Sequence, residues 1–325
     1  LFGTIDTYLI YRLTNMESYS TDFTNASRTL FFDNKKLKWD NELLKLFNLD
    51  LKRLPTVQES SSIFGKTNFD GLLKKKIPIS GIIGDSQSAM FANQCLQKGD
   101  TKITLGTGSS ILTNINNDYA LKDNLLTTLS YVYNGKARYS YECLINYAGA
   151  TISWLKDNLK IIKSVRETEE ISKLIKDSNG VFLIPAFVGL SNPHWLPDSQ
   201  GMIYGLTPSV NKNHLIRASL ESIAFQIKDY LEDLENNKKI NLNNIFIDGG
   251  MTDNIFLLQL ISNLLNKKIN VSNFADMSAY GSLLMGLLGM KLISNTKDLG
   301  KYKIKYTQYR PIKNNNDIRV YRKWK

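Results

Sequence analysis

The chain has 325 residues, 42% of them hydrophobic and 22% charged, with 41 Lys and Arg against 30 Asp and Glu and a net charge of +11. This is globular composition, which excludes collagen-like, disordered and low-complexity classes and suits about two domains. Two cysteines, Cys95 and Cys143, cannot form a disulfide framework, so a reducing, cytoplasmic compartment is the expectation.

The first 13 residues include Asp6 and Arg12 and lead to no small-residue cleavage site, so they do not read as a signal peptide. They read like the interior of a folded chain, and the expectation is a C-terminal part of a longer protein. Residues 60–76 are polar and contain glycine, the pattern of a loop. The apolar run 77–83 ends in Gly84-Asp85, and a helix is expected over 86–96. Residues 101–105 and 110–115 are β-rich and joined by Gly106-Thr107-Gly108. Residues 127–133 and 136–142 flank Asn134-Gly135, a type I′ hairpin signal with a structural role. A helix pattern covers 149–159 and a short strand 181–185.

The longest predicted helix spans 211–235, with Asn211 as N-cap and a core stripe of Ile216, Leu220, Ile223, Ile227, Leu231 and Leu234. A strand at 245–247 ends in Asp248-Gly249-Gly250, followed by a helix burying Phe256, Leu257, Leu260, Ile261 and Leu264. A strand at 269–271 and a close-packing, small-residue helix at 278–290 complete the pattern. No solenoid repeat occurs, no run of about 18 apolar residues predicts a membrane span, and no Cys/His group has zinc spacing. The alternation of strands and helices indicates an α/β or α+β architecture. The lysines near 72–76, 236–239 and 302–305 are scattered and not interleaved with aromatics, so a nucleic-acid partner is not the reading. Excess positive charge also favours encounter with anionic nucleotides.

Three strand-to-turn junctions carry candidate chemistry. At Gly84-Asp85-Ser86-Gln87, an acid held between a buried strand and a helix can take a hydroxyl proton, or it can be a plain helix cap. At Gly106-Thr107-Gly108-Ser109, glycines permit close approach of a phosphate and Thr107 adds a hydroxyl, although most such turns are only turns. At Asp248-Gly249-Gly250, with Asn254 beyond, the glycines leave room for a flat ligand or form a tight turn. Neither G-x-G-x-x-G nor G-x-x-x-x-G-K-[ST] is present. No nucleophilic triad forms: His194 falls in a loop, His214 reads as structural at a helix start, and both cysteines have apolar neighbours that keep thiols inert.

In combination these residues resemble the FGGY family of carbohydrate kinases, and within it the glycerol-phosphorylating members. The resemblance rests on Gly201-Met202-Ile203-Tyr204-Gly205-Leu206 followed by His214-Leu215 and Ala218-Ser219-Leu220-Glu221. It rests also on residues 5–10, on residues 21–29, and on Leu125-Leu126-Thr127-Thr128. Residues 185–190, residues 248–252 and Trp324-Lys325 agree with it. It implies actin-like (ribonuclease H-like) α/β ATPase domains, the first incomplete over 1–96 and the second whole over 97–325, with ligands between them. It implies ATP and Mg²⁺ as cofactors and glycerol or a related polyol as substrate, with no protein metal ligand assigned and a homo-oligomer left open. By the resemblance, Asp85 is the base and Asp85, Ser86, Gln87 and Ser110 line the polyol site, while Thr107, Gly149, Ser153, Gly250 and Asn254 meet the nucleotide. The absent N-terminal part would hold an Asp-x-Gly-Thr phosphate loop. Ser86 stands where the family pattern has glutamine, Ser110 where it has phenylalanine, and Ser153 where it has a nucleotide-contacting glutamine. Leu196 replaces an acid and Gln200 an arginine. These departures favour two alternatives: a kinase for another polyol or sugar, and a non-catalytic nucleotide-binding relative.

Overall fold

The computed structural model describes residues 1–122 and 124–325. The chain opens with α1 (Ile5–Leu13), β1 (Ser20–Asp22) and the one-turn α2 (Phe23–Ala26). β2 (Phe32–Asp33) and β3 (Lys38–Trp39) form a short antiparallel pair before α3 (Asn41–Leu46), and β4 (Thr56–Gln58) pairs in parallel with β1. β5 (Ile63–Thr67) and β6 (Ile77–Ser80) are antiparallel, and α4 (Asp85–Ala92) follows. Residues 60–76, expected as a loop, thus contain a strand. Phe64 and Thr67 are buried, and Gly65 hides the alternation. β6 is only half-buried, and four irregular residues separate it from Asp85, so the acid does not directly follow a buried strand as expected. The helix stops at Ala92 rather than at 96, because Asn93 caps it and Gln94 turns left-handed at φ 53°.

The rest of the chain is β7 (Thr101–Leu105), β8 (Ser109–Asn116), β9 (Leu126–Tyr133), β10 (Lys136–Ile145), α5 (Gly149–Asp157), α6 (Glu167–Leu174), β11 (Phe182–Ile184) and β12 (Met202–Tyr204). Then come α7 (Lys212–Asn236), β13 (Ile245–Asp248), α8 (Ile255–Leu265), β14 (Ile269–Ser272), α9 (Met277–Gly289), β15 (Tyr306–Tyr309) and α10 (Asn315–Trp324). Seven strands form one mixed sheet in the order β15-β14-β13-β7-β8-β10-β9. β7, β13 and β14 run parallel, while β8, β10 and β9 are antiparallel neighbours, with β10 of the β9–β10 hairpin lying beside β8.

Successive strand residues face opposite sides of a sheet, and both sides here are covered. On one side Ile103, Leu105, Ile111, Cys143 and Ile247 share a core with Ile216, Leu220 and Ile223 of α7 and with Leu257 and Leu260 of α8. Each fully buried aliphatic side chain there contributes about 1.5–3 kcal/mol. On the other side Leu112 and Phe246 meet Met90 and Cys95, and Tyr131 stacks edge-on to Phe91 of α4 with α9 beyond. α4 and α9 touch backbone to backbone. A Cβ on Gly281 would lie 1.9 Å from the Ser88 carbonyl oxygen, so the small-residue helix packs as its composition predicts.

α7 is capped as expected. Asn211 accepts from the Asn213 amide, and His214 Nδ1 accepts from the Asn211 amide, completing a capping box. The structural reading of His214 is therefore correct. Asn134 and Gly135 have φ of 50° and 70°, the type I′ geometry expected. Both turn amides donate to Glu59, at 3.0 and 2.6 Å. No helix among the described residues is long and apolar enough to cross a membrane.

Candidate functional site

The three junctions meet at the edges of α4, β7 and β13. Asp85 occupies the first position of α4, where the positive helix end favours a carboxylate. Gly84, not Asp85, is the N-cap, so the plain-cap reading of the acid does not hold. Asp85 is exposed, and its Oδ1 accepts only from the adjacent Ser86 amide, at 2.6 Å. It opens into a cavity of about 530 Å³ lined also by Asp6, Asn25, Arg28, Ser86, Gln87 and Glu142.

Ser86 and Ser110 come together, with hydroxyl oxygens 3.3 Å apart across α4 and β8. Gln87 is buried, and its amide lies 3.5 Å from the Thr128 hydroxyl. Arg28 reaches across the cavity. Its Nη1 donates to Glu142 Oε2 at 2.6 Å and lies 3.4 Å from the Thr128 hydroxyl. Glu142 is buried on β10, so its charge is held by a single arginine.

The Gly106-Thr107-Gly108 turn is built by close contacts. The Gly149 amide donates to the Gly106 carbonyl at 3.0 Å, and the Ala148 and Ala150 amides donate to the Thr107 carbonyl at 3.1 and 2.9 Å. A Cβ on Gly149 would lie 2.6 Å from the Gly106 oxygen. Gly149 therefore lets α5 abut the turn, and its amide is already engaged. The Thr107 side chain is exposed. Ser153, one turn along α5, is exposed as well.

Beneath the turn lies a buried polar chain. Lys102 Nζ donates to Thr104 Oγ1 at 2.8 Å, and Thr104 donates to Asp248 Oδ1 at 2.5 Å. Asn93 of α4 donates to the other oxygen of Asp248 at 3.2 Å. Burial holds the Lys102 ammonium below its usual range, against Asp248 and Asp85, which favour the charge. The network ties α4, β7 and β13 together, the elements that carry Asp85, the Gly106-Thr107-Gly108 turn and Asp248.

At the third junction the two glycines differ. Gly249 has φ 104°, and a Cβ there would lie 2.5 Å from the Leu105 oxygen, so it is the tight-turn residue. Gly250 has nothing within 4 Å of a Cβ position and leaves an open face. Asn254 is buried as the N-cap of α8. Its Oδ1 accepts from the Leu257 amide at 2.9 Å and its Nδ2 points to Thr168 at 3.3 Å.

Arg28, Glu142 and Thr24 were not singled out as site residues in the sequence. A signal was present for Glu142, a lone acid inside the strongly β, apolar run of β10, because an unexposed charge calls for a partner. Arg28 gives no such signal, being one polar residue among several in a loop. His194 is more than a bystander in its loop: Nε2 lies 2.5 Å from Asp229 Oδ2. Both cysteines are buried, and burial pushes their thiols up, which makes them inert as expected.

Comparison with known proteins follows this geometry. The profile of the FGGY family of carbohydrate kinases matches with its N-terminal domain over residues 1–92 and its C-terminal domain over residues 101–290. Glycerol kinase of Fusobacterium nucleatum is 41% identical over 300 residues, covering 92% of this chain and 60% of that protein. Glycerol kinase of Clostridium perfringens is 39% identical over 327 residues, covering 100% of this chain and 65% of that protein. Among solved structures, Plasmodium falciparum glycerol kinase with ADP superposes with a TM-score of 0.89 at 32% identity, covering 99% of this chain and 65% of that one. A xylulose kinase from Lactobacillus acidophilus matches in fold, with a TM-score of 0.85 at 20% identity, covering 98% of this chain and 65% of that one. The chain thus spans 58–62% of the length of the first three curated relatives it matches. The actin-like (ribonuclease H-like) α/β fold expected from the resemblance is that of these structures. By its sequence, its fold and the profile of both domains, the chain belongs to the FGGY family of carbohydrate kinases.

Proposed function

We propose that the chain supplies the base, the phosphate turn and part of the nucleotide face of an enzyme that transfers the γ-phosphoryl group of ATP to a hydroxyl of glycerol. The observation that carries this reading is Asp85: an exposed carboxylate at a helix start, opening into a polar cavity and bonded only to its own neighbour's amide. The family and its glycerol kinase relatives at about 40% identity supply the reaction class.

Asp85 accepts the hydroxyl proton as the substrate oxygen attacks phosphorus. The new oxygen–phosphorus bond forms, the bridging bond to ADP breaks, and the proton leaves Asp85 for solvent. Positioning and charge neutralisation dominate such a transfer. Thr107 offers its hydroxyl to the phosphates, and Gly149 holds the turn that carries it. Gly250 leaves space for the nucleotide's flat base, and Asn254 fixes the start of α8 beside it. Ser153 is the further residue of this nucleotide set, on the exposed side of α5.

Magnesium would enter with the nucleotide. Among the described residues no three His, Cys, Asp or Glu side chains converge, and the cation would be carried chiefly by phosphates and water. When bound, it would neutralise charge between the phosphates. We place the division between domains near residues 96–97.

The Ser86–Ser110 contact favours a second reading, a larger polyol or sugar. Two short hydroxyl side chains leave a wider and more polar wall than glutamine and phenylalanine would. The test is ADP release by the complete gene product with ATP, Mg²⁺ and glycerol, erythritol, ribitol or xylulose. Preference for glycerol supports the first reading. Preference for a longer acceptor moves the assignment to the second, and release with none of them overturns both.

A further inference from the structure

Asp22 is fully buried and no ion pair reaches it among the described residues, yet it accepts five hydrogen bonds. Oδ2 accepts from the Thr24 amide at 3.0 Å, the Thr24 hydroxyl at 2.7 Å and the Ser60 hydroxyl at 2.7 Å. Oδ1 accepts from the Asn25 amide at 2.9 Å and the Asn25 side chain at 2.7 Å. Burial pushes this carboxyl above its usual range, and those donors offset the shift only in part. A buried charge of this kind is costly, and α2, the helix it caps, is only four residues long. Capping alone does not account for it.

The network ends on the turn that carries Asp85. The Gly84 amide donates to Thr24 Oγ1 at 2.7 Å. The Gly84 amide can only donate, so it takes a lone pair of Thr24 Oγ1, and the Thr24 hydroxyl gives its own proton to Asp22 Oδ2. Such a chain polarises and strengthens both bonds. Ser60, also bound to Asp22, accepts the Ile82 amide on its carbonyl at 3.1 Å. Gly84 has no side chain to cap α4, and a Cβ there would press on Gln87 Oε1 at 2.8 Å. The first turn of α4 is therefore held from outside, by α2.

We propose that Asp22 and Thr24 are positioning residues for Asp85: the Thr24 hydroxyl, oriented by the Asp22 carboxylate, fixes the Gly84 amide and with it the direction in which Asp85 meets the acceptor hydroxyl. The proposal rests on the reading of Asp85 as base. It distinguishes a hydroxyl at position 24 from mere bulk, because valine keeps the shape and removes only the bond.

The test compares Thr24→Val and Thr24→Ser in the complete gene product. Thr24→Val should lower kcat about ten- to a hundredfold with KM for the acceptor and for ATP within about twofold, the signature of a displaced base. Thr24→Ser should restore kcat to within about threefold of wild type. Amide hydrogen exchange at Gly84 should accelerate in Thr24→Val and stay slow in Thr24→Ser. An unchanged kcat in Thr24→Val overturns the proposal, as does unchanged exchange at Gly84 or an equal loss in both variants. Should the wild type phosphorylate no acceptor, the reading of Asp85 fails, while exchange at Gly84 still decides whether the relay holds the turn.

Discussion

Arg28 and Glu142, 114 positions apart, are joined by a 2.6 Å ion pair that crosses the cavity in front of Asp85. The arginine follows α2, and the glutamate lies in β10 of the large sheet. The bond therefore fixes the width of the cavity between two separate parts of the fold. Arg28 keeps half its side chain exposed, whereas Glu142 is buried.

Removing the arginine strands a buried carboxylate. Arg28→Ala is expected to destabilise the protein by about 1–3 kcal/mol in urea unfolding. The double variant Arg28→Met with Glu142→Leu is expected to recover part of that loss, because no charge is left unpaired. Arg28→Lys should be intermediate, since it keeps the charge but must bring a single ammonium to the place where Nη1 meets both Glu142 and Thr128. A double variant less stable than Arg28→Ala would refute this account of the pair.

The two glycines after Asp248 are expected to separate stability from binding. Gly249→Ala forces a side chain into φ 104° and against the Leu105 oxygen, and should cost about 1–3 kcal/mol of stability. Gly250→Ala meets open space. It should leave stability within about 0.5 kcal/mol of wild type and weaken nucleotide binding. Thermal unfolding and calorimetric titration with ADP read the two effects, and equal destabilisation by both variants would contradict the assignment.

His194 should make stability depend on pH. Its hydrogen bond to Asp229 raises the imidazole above its ordinary value of 6.5, with Lys325 opposing and Asp233 adding to the effect. Burial pushes Asp229 up, but the bonds from His194 and Lys325 outweigh it and hold the carboxyl low; Tyr321 and Glu232 complete the cluster. A raised folded value means that the stabilisation is complete below the unfolded value and fades as pH climbs through the folded one. The melting temperature should fall as pH climbs above 6.5, and His194→Gln should flatten that fall. An unchanged slope in the variant would rule the pair out as its source.

Much of the large sheet and its helices was legible in the sequence, because long elements repeat their signal. The stripe of α7 recurs over 25 residues, and Asn134-Gly135 permits few turns other than the one observed. The first 60 residues were not legible as elements: their strands have two or three residues, too short for any alternation to show. β15 was missed as an edge strand in which Tyr306 and Tyr309 bracket two exposed residues, and α6 for its largely polar sequence. Asp85, Thr107 and Gly250 stand at turns that the sequence marks with glycine. Thr24 and Arg28 act on residues 60 and 114 positions away, and no local pattern encodes a contact of that range. Asp22 is a residue type that starts helices by accepting first-turn amides, here those of Thr24 and Asn25, which could have drawn attention to α2.

The most direct test of the central claim replaces the base alone. The complete gene product and its Asp85→Asn variant are compared for glycerol-dependent ADP release at saturating ATP and Mg²⁺, with ADP affinity measured in parallel. The amide keeps the oxygen that accepts from Ser86 and loses the ability to take a proton. Release should fall at least about a hundredfold while ADP affinity stays within about twofold. Equal turnover by the two proteins would contradict the assignment of Asp85 as the base and the mechanism built on it.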